Sequence, residues 1–196
     1  MKKHPKLVLA SSSPFRKQLL AKIYPQFDTA SADIDESQRD GETPLALSKR
    51  LAFEKASALA GTYPNHLIIG SDQVAMLGDT QLTKPGCFEN SVKQLTLSSG
   101  KTIVFYTSIC VLNTSKNTSV SDVDTCKVYM RELSTNEIEN YVSRDKPYGC
   151  AAAFKSECLG ISLFKKIEGD DPNALIGLPL IKLANILSEM GYSSLE

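Results

Sequence analysis

The stretch from Leu7 to Leu20, LVLASSSPFRKQLL, constrains the fold most, because it predicts a strand, a tight loop and a helix in direct succession. Leu7–Ala10 is a short apolar run typical of a buried strand. After three serines, Pro14 stands where a fixed φ and a missing N–H suit the first turn of a helix, with Ser13 as its N-cap. A strand that leads straight into a helix is typical of an α/β fold.

The same junction has the chemistry of an anion site. A helix N-terminus offers free N–H groups and a partial positive charge, and Ser11 and its two neighbours add hydroxyls there. Arg16 and Lys17 place two cations in the first turn, where they oppose the helix dipole unless an anion lies between them. The alternative is an ordinary strand–helix junction with solvated basic residues.

Composition restricts the partners. Lys plus Arg and Asp plus Glu number 22 each in 196 residues, so no net charge attracts nucleic acid or an anionic membrane. The longest apolar stretch, Leu175–Leu187, contains Pro179 and Lys182 and is unsuited to a membrane span, and Leu7–Ala10 is too short for a signal peptide. Five cysteines, odd in number and without a CxxC pair, favour the reducing cytoplasm over disulfides or zinc.

The remaining pattern predicts one domain, residues 1–196, with a mixed sheet in two lobes. Strands are predicted at 27–31, 66–70, 102–113, 119–130 and 161–164, with a hairpin of 74–77 and 81–83 around Gly78. Helices are predicted from Pro44 towards Gly61, at 89–97, from a capping box at Ser134 through Tyr141, and at 179–190.

Two charged residues stand where function is plausible. Asp72 follows a buried strand predicted to end at Gly70, and open α/β sheets bind ligands beyond the carboxyl ends of their strands. Asp72 as a turn or cap residue is the alternative. Lys55 falls on the apolar stripe of the second helix. Either its carbon chain lies along the apolar surface and its ammonium group reaches water, or the ammonium group points into a cleft towards an anion.

Carboxylates and cations, not histidines, are the available chemistry. Only His4 and His66 are present, and the glycine-rich phosphate loops and the GxSxG elbow are absent. Asp72 with a carboxylate from the acidic loop 32–42 could hold Mg²⁺ or Mn²⁺, while basic residues neutralise a polyphosphate. This set suits metal-assisted attack of water on a phosphoryl group.

Seven segments occur in an order and spacing that resemble one family: LVLASSSPFR, DIDES, RLAFEKA, LIIGSDQV, TKP, FKSE and DPNALIGLPL. Together they resemble the Maf family of nucleoside triphosphate pyrophosphatases, over essentially the whole chain. The resemblance implies an elongated α/β structure like that of the inosine triphosphate pyrophosphatases, with a mixed β-sheet, flanking helices and a cleft between two lobes. It also implies hydrolysis between the α and β phosphates with a divalent metal.

The resemblance assigns roles by position. Asp72 would be the proton acceptor that activates water, and Asp72 and Glu36 would hold the metal. Glu36, Lys55 and Lys84 would act in catalysis together with Asp72, and the two lysines would contact the triphosphate. Ser11 and Arg16 would bind the substrate in the phosphate loop.

Three positions distinguish branches of the family. Phe15, Gln73 and Glu157 resemble the branch that acts on 7-methyl-GTP, whereas Arg, Thr and Gln at these places resemble the branch that prefers dTTP and UTP. An aromatic ring can stack on the cationic methylated base, and a carboxylate can accept hydrogen bonds from the guanine N1–H and amino group. The branch often carries Trp where this chain has Phe15, a smaller stacking surface.

The expected function is therefore hydrolysis of a nucleoside triphosphate, most directly 7-methyl-GTP, in the housecleaning of modified nucleotides. Two alternatives stay open: a pyrophosphatase for dTTP, UTP or other non-standard nucleotides, and a non-catalytic nucleotide-binding regulator of cell division. The protein is expected to be cytoplasmic and to form a homodimer, with no nucleic-acid or membrane partner.

Overall fold

A computed structural model describes residues 6–195 of the chain. Within that range the protein is a mixed α/β structure. Its elements are, in chain order, β1 (Lys6–Ala10), α1 (Pro14–Ala21), β2 (Asp28–Ala30), α2 (Pro44–Ala58), β3 (His66–Leu77), β4 (Thr80–Gln81), α3 (Phe88–Ser98), β5 (Thr102–Asn113), β6 (Thr118–Met130), α4 (Thr135–Asp145), β7 (Phe164–Glu168) and α5 (Leu180–Glu189). No helix among these residues has both the length and the apolar character needed to cross a membrane.

The seven strands form one sheet in the order β2-β1-β3-β5-β6-β7, with β4 paired to β3. β1 runs parallel to both β2 and β3, whereas β4 is antiparallel to β3 and β7 is antiparallel to β6. The predicted mixed sheet is confirmed.

The predicted helix starts are confirmed by their caps. The Ser13 hydroxyl accepts from the Arg16 N–H at 3.4 Å at the start of α1, and the Thr43 hydroxyl accepts from the Ala46 N–H at 3.2 Å at the start of α2. Ser134 forms the predicted capping box of α4 with Glu137. Caps are recognisable in sequence because each one involves residues only three apart.

The prediction that a strand ends at Gly70 is wrong. β3 continues without interruption from His66 to Leu77, so Ser71, Asp72 and Gln73 lie inside a strand and not beyond its end. The glycine has another role: a Cβ atom at Gly70 would lie 2.0 Å from the backbone oxygen of Ala52 in α2. A glycine inside a strand often marks such a close backbone approach.

The strand predicted at 161–164 is also wrong. Leu159–Leu163 is a short 3₁₀ helix, and the strand β7 begins only at Phe164. Gly160 packs tightly here, since a Cβ atom at this position would lie 2.4 Å from the backbone oxygen of Lys155. Of residues 161–164 only Leu163 is buried, and Ile161 is 53% exposed, so this apolar run does not mark a paired strand.

The described residues fall into two compact units. The first comprises those of Met1–Gln73, Thr107–Asp124 and Asp171–Glu196, and the second comprises Val74–Tyr106 and Thr125–Asp170. The prediction of a single domain over 1–196 stays a prediction.

In the first unit, alternate residues of β1 and β3 enter two different cores. Leu9 and Ile69 pack in a cluster with side chains of α1 and α5, whereas Val8 and Ile68 pack in a cluster with Ala52 and Ala56 of α2. This follows from the two-residue period of a strand.

The second unit contains an aromatic cluster. The ring centroids of Phe105 and Phe154 lie 5.6 Å apart, and those of Phe154 and Phe164 lie 4.7 Å apart, both edge to face. Such pairs contribute beyond the apolar area that they bury.

Candidate active site

The centre of the candidate site is the ammonium group of Lys55. Its Nζ lies 2.7 Å from Oδ1 of Asp72 and 2.8 Å from Oε1 of Glu36. Asp72 and Lys55 are buried, at 7% and 8% exposure, whereas Glu36 is exposed. Lys55 thus points to two carboxylates and does not extend to bulk water, and three of the residues predicted to act together are in direct contact.

Strand alternation explains why Asp72 meets Lys55. Gly70 and Asp72 lie on the face of β3 that packs against α2, because side chains two apart share a face. The missing side chain at Gly70 lets the helix backbone approach the strand, since a Cβ there would also lie 2.9 Å from the Ala56 nitrogen. Lys55 precedes Ala56 directly, so this close approach carries its ammonium to Asp72.

The buried position of Asp72 and the charges around it shift the pKa of its carboxyl group. Burial raises the pKa of its carboxyl group above the ordinary value, while the cations Lys55 and Arg16 oppose that rise. The nearby charge of Glu36 raises this pKa further. A carboxylate whose pKa is moved towards neutrality is a better base at working pH than a solvated one.

Arg16 is tied to two backbone carbonyls. Its Nε donates to the Gly177 oxygen at 2.8 Å, and its Nη1 donates to the Ser71 oxygen at 2.8 Å. Burial lowers the pKa of Arg16, and the carboxylates of Asp72 and Glu36 act in the opposite direction. A guanidinium has five N–H groups, so an arginine anchored in this way keeps further donors for an anion.

Gly177 is the second point at which this arrangement needs a glycine. Its φ is +124°, a backbone conformation that side-chain-bearing residues rarely adopt, and a Cβ atom there would lie 3.3 Å from Nε of Arg16. The carbonyl of Gly177 also accepts from the Ser71 hydroxyl at 3.0 Å.

Two of the three serines of the first loop bond to each other. The Ser11 hydroxyl accepts from the Ser13 N–H at 3.1 Å, which shapes the turn between β1 and α1. Phe15 lies in the first turn of α1 and is partly exposed.

The acidic loop is held to α2 by Arg50. Its guanidinium donates to both carboxylate oxygens of Glu42, at 2.7 and 2.9 Å, and to the Ser37 carbonyl at 2.8 Å. It also donates to Glu54 at 2.8 Å. The hydrogen bond from Arg50 lowers the pKa of Glu42 to about 2. This attachment restrains the segment that carries the otherwise exposed Glu36.

Gln73 lies on the opposite face of β3 from Asp72. Its side-chain nitrogen Nε2 lies 3.0 Å from Oγ1 of Thr107 and 3.0 and 3.1 Å from the carbonyls of Ala174 and Leu175. The predicted base-selecting amide is therefore fastened to the segment 174–177, the same segment that holds Arg16.

Lys84 and Glu157 belong to the second unit, and both are exposed. They lie within electrostatic range of a common group, Cys150. Burial, followed by the charge of Glu157, raises the pKa of that thiol to about 11, while Lys84 acts to lower it. The structure thus places these two predicted residues in one region of their own unit.

The sequence did not predict a role for several residues of this arrangement. Thr107 lies outside the seven quoted segments, whereas Arg50 begins RLAFEKA and Gly177 lies within DPNALIGLPL, and no role was predicted for either. Asp171 was visible only as part of the DPNALIGLPL segment: its carboxylate accepts from the backbone N–H of Asn173 at 2.8 Å and of Ile181 at 2.5 Å. These two hydrogen bonds attach the loop before α5 to the first turn of that helix.

The carboxylates suit a hard divalent cation. Within residues 6–195 no group of three or more His, Cys, Asp or Glu side chains is arranged as a metal site. Oxygens of Glu36 and Asp72 contact one nitrogen atom, at 2.8 and 2.7 Å, so they lie at most about 5.5 Å apart. Mg²⁺ commonly uses one or two carboxylates and completes its shell with water and substrate phosphates, so the donor chemistry of this pair fits such an ion.

Comparison with solved structures defines the fold class. The Ham1 protein of Staphylococcus aureus matches over 95% of this chain and 99% of its own, with a TM-score of 0.50 and 13% identity. That likeness supports the fold alone and agrees with the predicted mixed α/β architecture.

Comparison of the sequence then identifies the family. The family model described as Maf-like protein matches residues 6–190, and the chain belongs to the Maf family. A protein of Colwellia psychrerythraea named 7-methyl-GTP pyrophosphatase is 50% identical over 96% of this chain and 94% of its own length. A protein of Alcanivorax borkumensis with the same name is 52% identical over 95% of each.

Proposed function

We propose that this protein hydrolyses 7-methyl-GTP to the monophosphate and pyrophosphate, and so removes modified nucleotides. The observation that carries the proposal is the similarity, at 50–52% identity over nearly the whole chain, to proteins named 7-methyl-GTP pyrophosphatase. The contact of Lys55 with Asp72 and Glu36 supports it, because it joins a buried carboxylate base to a cation suited to phosphate.

In the proposed reaction Asp72 accepts a proton from a water molecule as the water oxygen attacks the α-phosphorus. A new P–O bond forms, the bond from the α-phosphorus to the oxygen bridging the α and β phosphates breaks, and that electron pair leaves with pyrophosphate. Because its pKa is raised, the Asp72 carboxylate is a stronger base than a solvated one. Arg16, Lys55 and Lys84 stabilise the negative charge of the triphosphate.

A divalent cation, Mg²⁺ or Mn²⁺, would be held by Glu36 and Asp72. When bound, it supplies charge stabilisation to the phosphates. Lys55 orients both carboxylates, since its ammonium contacts one oxygen of each. Chelation by EDTA is expected to abolish turnover, and either metal added in excess is expected to restore it.

Base selection is assigned to Phe15, Gln73 and Glu157. Phe15 stacks on the cationic methylated ring, an interaction worth about 0.5–2 kcal/mol. Glu157 accepts hydrogen bonds from the guanine edge and repels the carbonyl-rich edge of a pyrimidine.

The test is pyrophosphate release from 7-methyl-GTP, GTP, UTP and dTTP, for wild type and for Asp72→Asn. We expect release from 7-methyl-GTP to be fastest and to fall about 10²–10⁴-fold in the variant, the range for loss of a general base. Ser48→Ala serves as a matched control, because Ser48 lies on the same helix as Lys55, and among the described residues its hydroxyl bonds to Leu45 and Ser108 and not to the site. Faster turnover of UTP or dTTP would replace the proposed substrate with a pyrimidine nucleotide. Binding without any turnover would favour a regulatory role.

We place this reaction in the cytoplasm, since Cys87, Cys110, Cys150 and Cys158 are free thiols. A homodimer is expected from the family resemblance, and sedimentation equilibrium would measure it.

A further inference from the structure

The amide of Gln73 has an orientation that its surroundings determine. Two of the atoms near its side-chain nitrogen are the backbone carbonyls of Ala174 and Leu175, at 3.0 and 3.1 Å. A carbonyl oxygen can only accept, so the amide atom that faces both must be the nitrogen. The amide oxygen of Gln73 would meet repulsion in that place.

Thr107 completes this arrangement. It lies on β5, is fully buried, and its Oγ1 lies 3.0 Å from the Ala174 carbonyl and 3.0 Å from the Gln73 nitrogen. A hydroxyl has one hydrogen, which goes to the carbonyl, so its oxygen is left to accept from Gln73. Thr107 therefore links strand β3, strand β5 and the segment 174–177 through one hydroxyl.

Both hydrogens of the Gln73 amide are used by acceptors of the protein. The polar atom that this partly exposed side chain can offer to a ligand is consequently its carbonyl oxygen, a pure acceptor. A base that presents an N–H donor fits such a side chain, whereas a base that presents a carbonyl oxygen is repelled.

We propose that Thr107 is a positioning residue for base selection, because its hydroxyl contacts both the Ala174 carbonyl and the Gln73 amide and so, together with the Ala174 and Leu175 carbonyls, keeps the carbonyl oxygen of Gln73 towards the nucleotide. The inference rests on the proposed function, and it specifies the chemistry of the base: an edge with N–H donors, as in guanine. Thr107 touches no substrate in this proposal and acts through Gln73 alone.

The test compares Thr107→Val with Thr107→Ser. Valine keeps the volume of the side chain and removes the hydroxyl, whereas serine keeps the hydroxyl. For Thr107→Val we expect kcat/KM on 7-methyl-GTP to fall about three- to tenfold, the range for one hydrogen bond, with kcat/KM on UTP unchanged or raised. Thr107→Ser is expected to keep the wild-type ratio of the two values.

A second measurement does not depend on turnover. The side-chain NH₂ resonances of Gln73, assigned by their loss in Gln73→Met, are expected to lose protection from hydrogen exchange in Thr107→Val and to keep it in Thr107→Ser. If the valine variant does not fold, Thr107→Ala replaces it. It also removes the hydroxyl, so the same loss of protection is expected.

The inference would be overturned if Thr107→Val left the ratio of kcat/KM on 7-methyl-GTP to kcat/KM on UTP unchanged, whether or not both values fall. It would also be overturned if the Gln73 amide kept its wild-type protection from hydrogen exchange in that variant. Failure of the proposed substrate is visible separately, as a wild-type protein that does not favour 7-methyl-GTP. In that case the variant must still change the ratio between nucleotides, and an unchanged ratio contradicts the role of Thr107.

Discussion

The substitution Gly70→Ala tests whether the close contact of α2 with β3 builds the site. An added Cβ would lie 2.0 Å from the Ala52 oxygen and 2.9 Å from the Ala56 nitrogen, although Cβ atoms essentially never approach closer than 3.0 Å. Helix and strand must therefore separate by about 1 Å, because both obstacles are backbone atoms and cannot rotate away.

Two effects follow from that separation. Overpacking of this kind destabilises a protein by about 1–3 kcal/mol, which for a chain of this length lowers the melting temperature by roughly 2–12 °C. The distance from Lys55 to Asp72, now 2.7 Å, would lengthen beyond hydrogen-bonding range. A misplacement of about 1 Å at a reacting group can reduce activity about 10²-fold.

The assay is thermal unfolding together with kcat/KM for pyrophosphate release. Gly61→Ala is the matched control, because it lies just beyond the end of the same helix and a Cβ there would meet no heavy atom within 4 Å. The reasoning is refuted if Gly70→Ala melts at the temperature of Gly61→Ala and turns over substrate equally fast.

Three further predictions concern charged residues. Lys55→Met leaves the buried carboxylate of Asp72 without its cation, so at pH 8 we expect the free energy of unfolding to fall by about 3–5 kcal/mol. Urea denaturation should show that adding Asp72→Asn recovers most of this loss, and no recovery would mean that the ion pair is not the cause. Because the pKa of Asp72 is raised, its contribution to stability is present below the ordinary value of 3.8 and is lost as pH rises through the folded pKa. Asp72→Asn should accordingly lose less stability than wild type as pH rises above the ordinary value of 3.8, and parallel urea curves would contradict this. Glu42, with its pKa lowered to about 2 by Arg50, should stabilise the fold above its ordinary value of 4.5 and cease to do so as pH falls towards 2. Acid titration of Glu42→Gln should then lack this loss, and a loss of the same size in the variant would exclude the carboxylate as its source.

Much of the fold was predictable from sequence because its signals are local. Ser13 before Pro14, Thr43 before Pro44 and the capping box at Ser134 each depend on backbone groups within four residues, and all three mark real helix starts. The prediction that the strand ends at Gly70 is wrong because a glycine interrupts the apolar pattern of the sequence without interrupting the hydrogen bonds between strands. Its role, contact with Ala52, lies in another element.

The candidate site divides in the same way. Its residue types, carboxylates with cations and a hydroxyl-rich loop at a helix N-terminus, followed from sequence, and family resemblance indicated which of them matter. The hydrogen-bond partners of these side chains could not be predicted from the sequence. Arg16 bonds to the carbonyl of Gly177, 161 residues away, and Gln73 bonds to Thr107, 34 residues away.

The sequence by itself determined the elements, their caps and the chemical inventory of the site, since these depend on propensities and on neighbours along the chain. Only the tertiary structure decided that Lys55 joins Glu36 to Asp72, and that the side-chain nitrogen of Gln73 faces the carbonyls of Ala174 and Leu175. The physical reason is that a hydrogen bond or an ion pair depends on atoms a few ångströms apart in space. The packing of α2 on β3, and of the 174–177 segment beside Gln73, sets those distances.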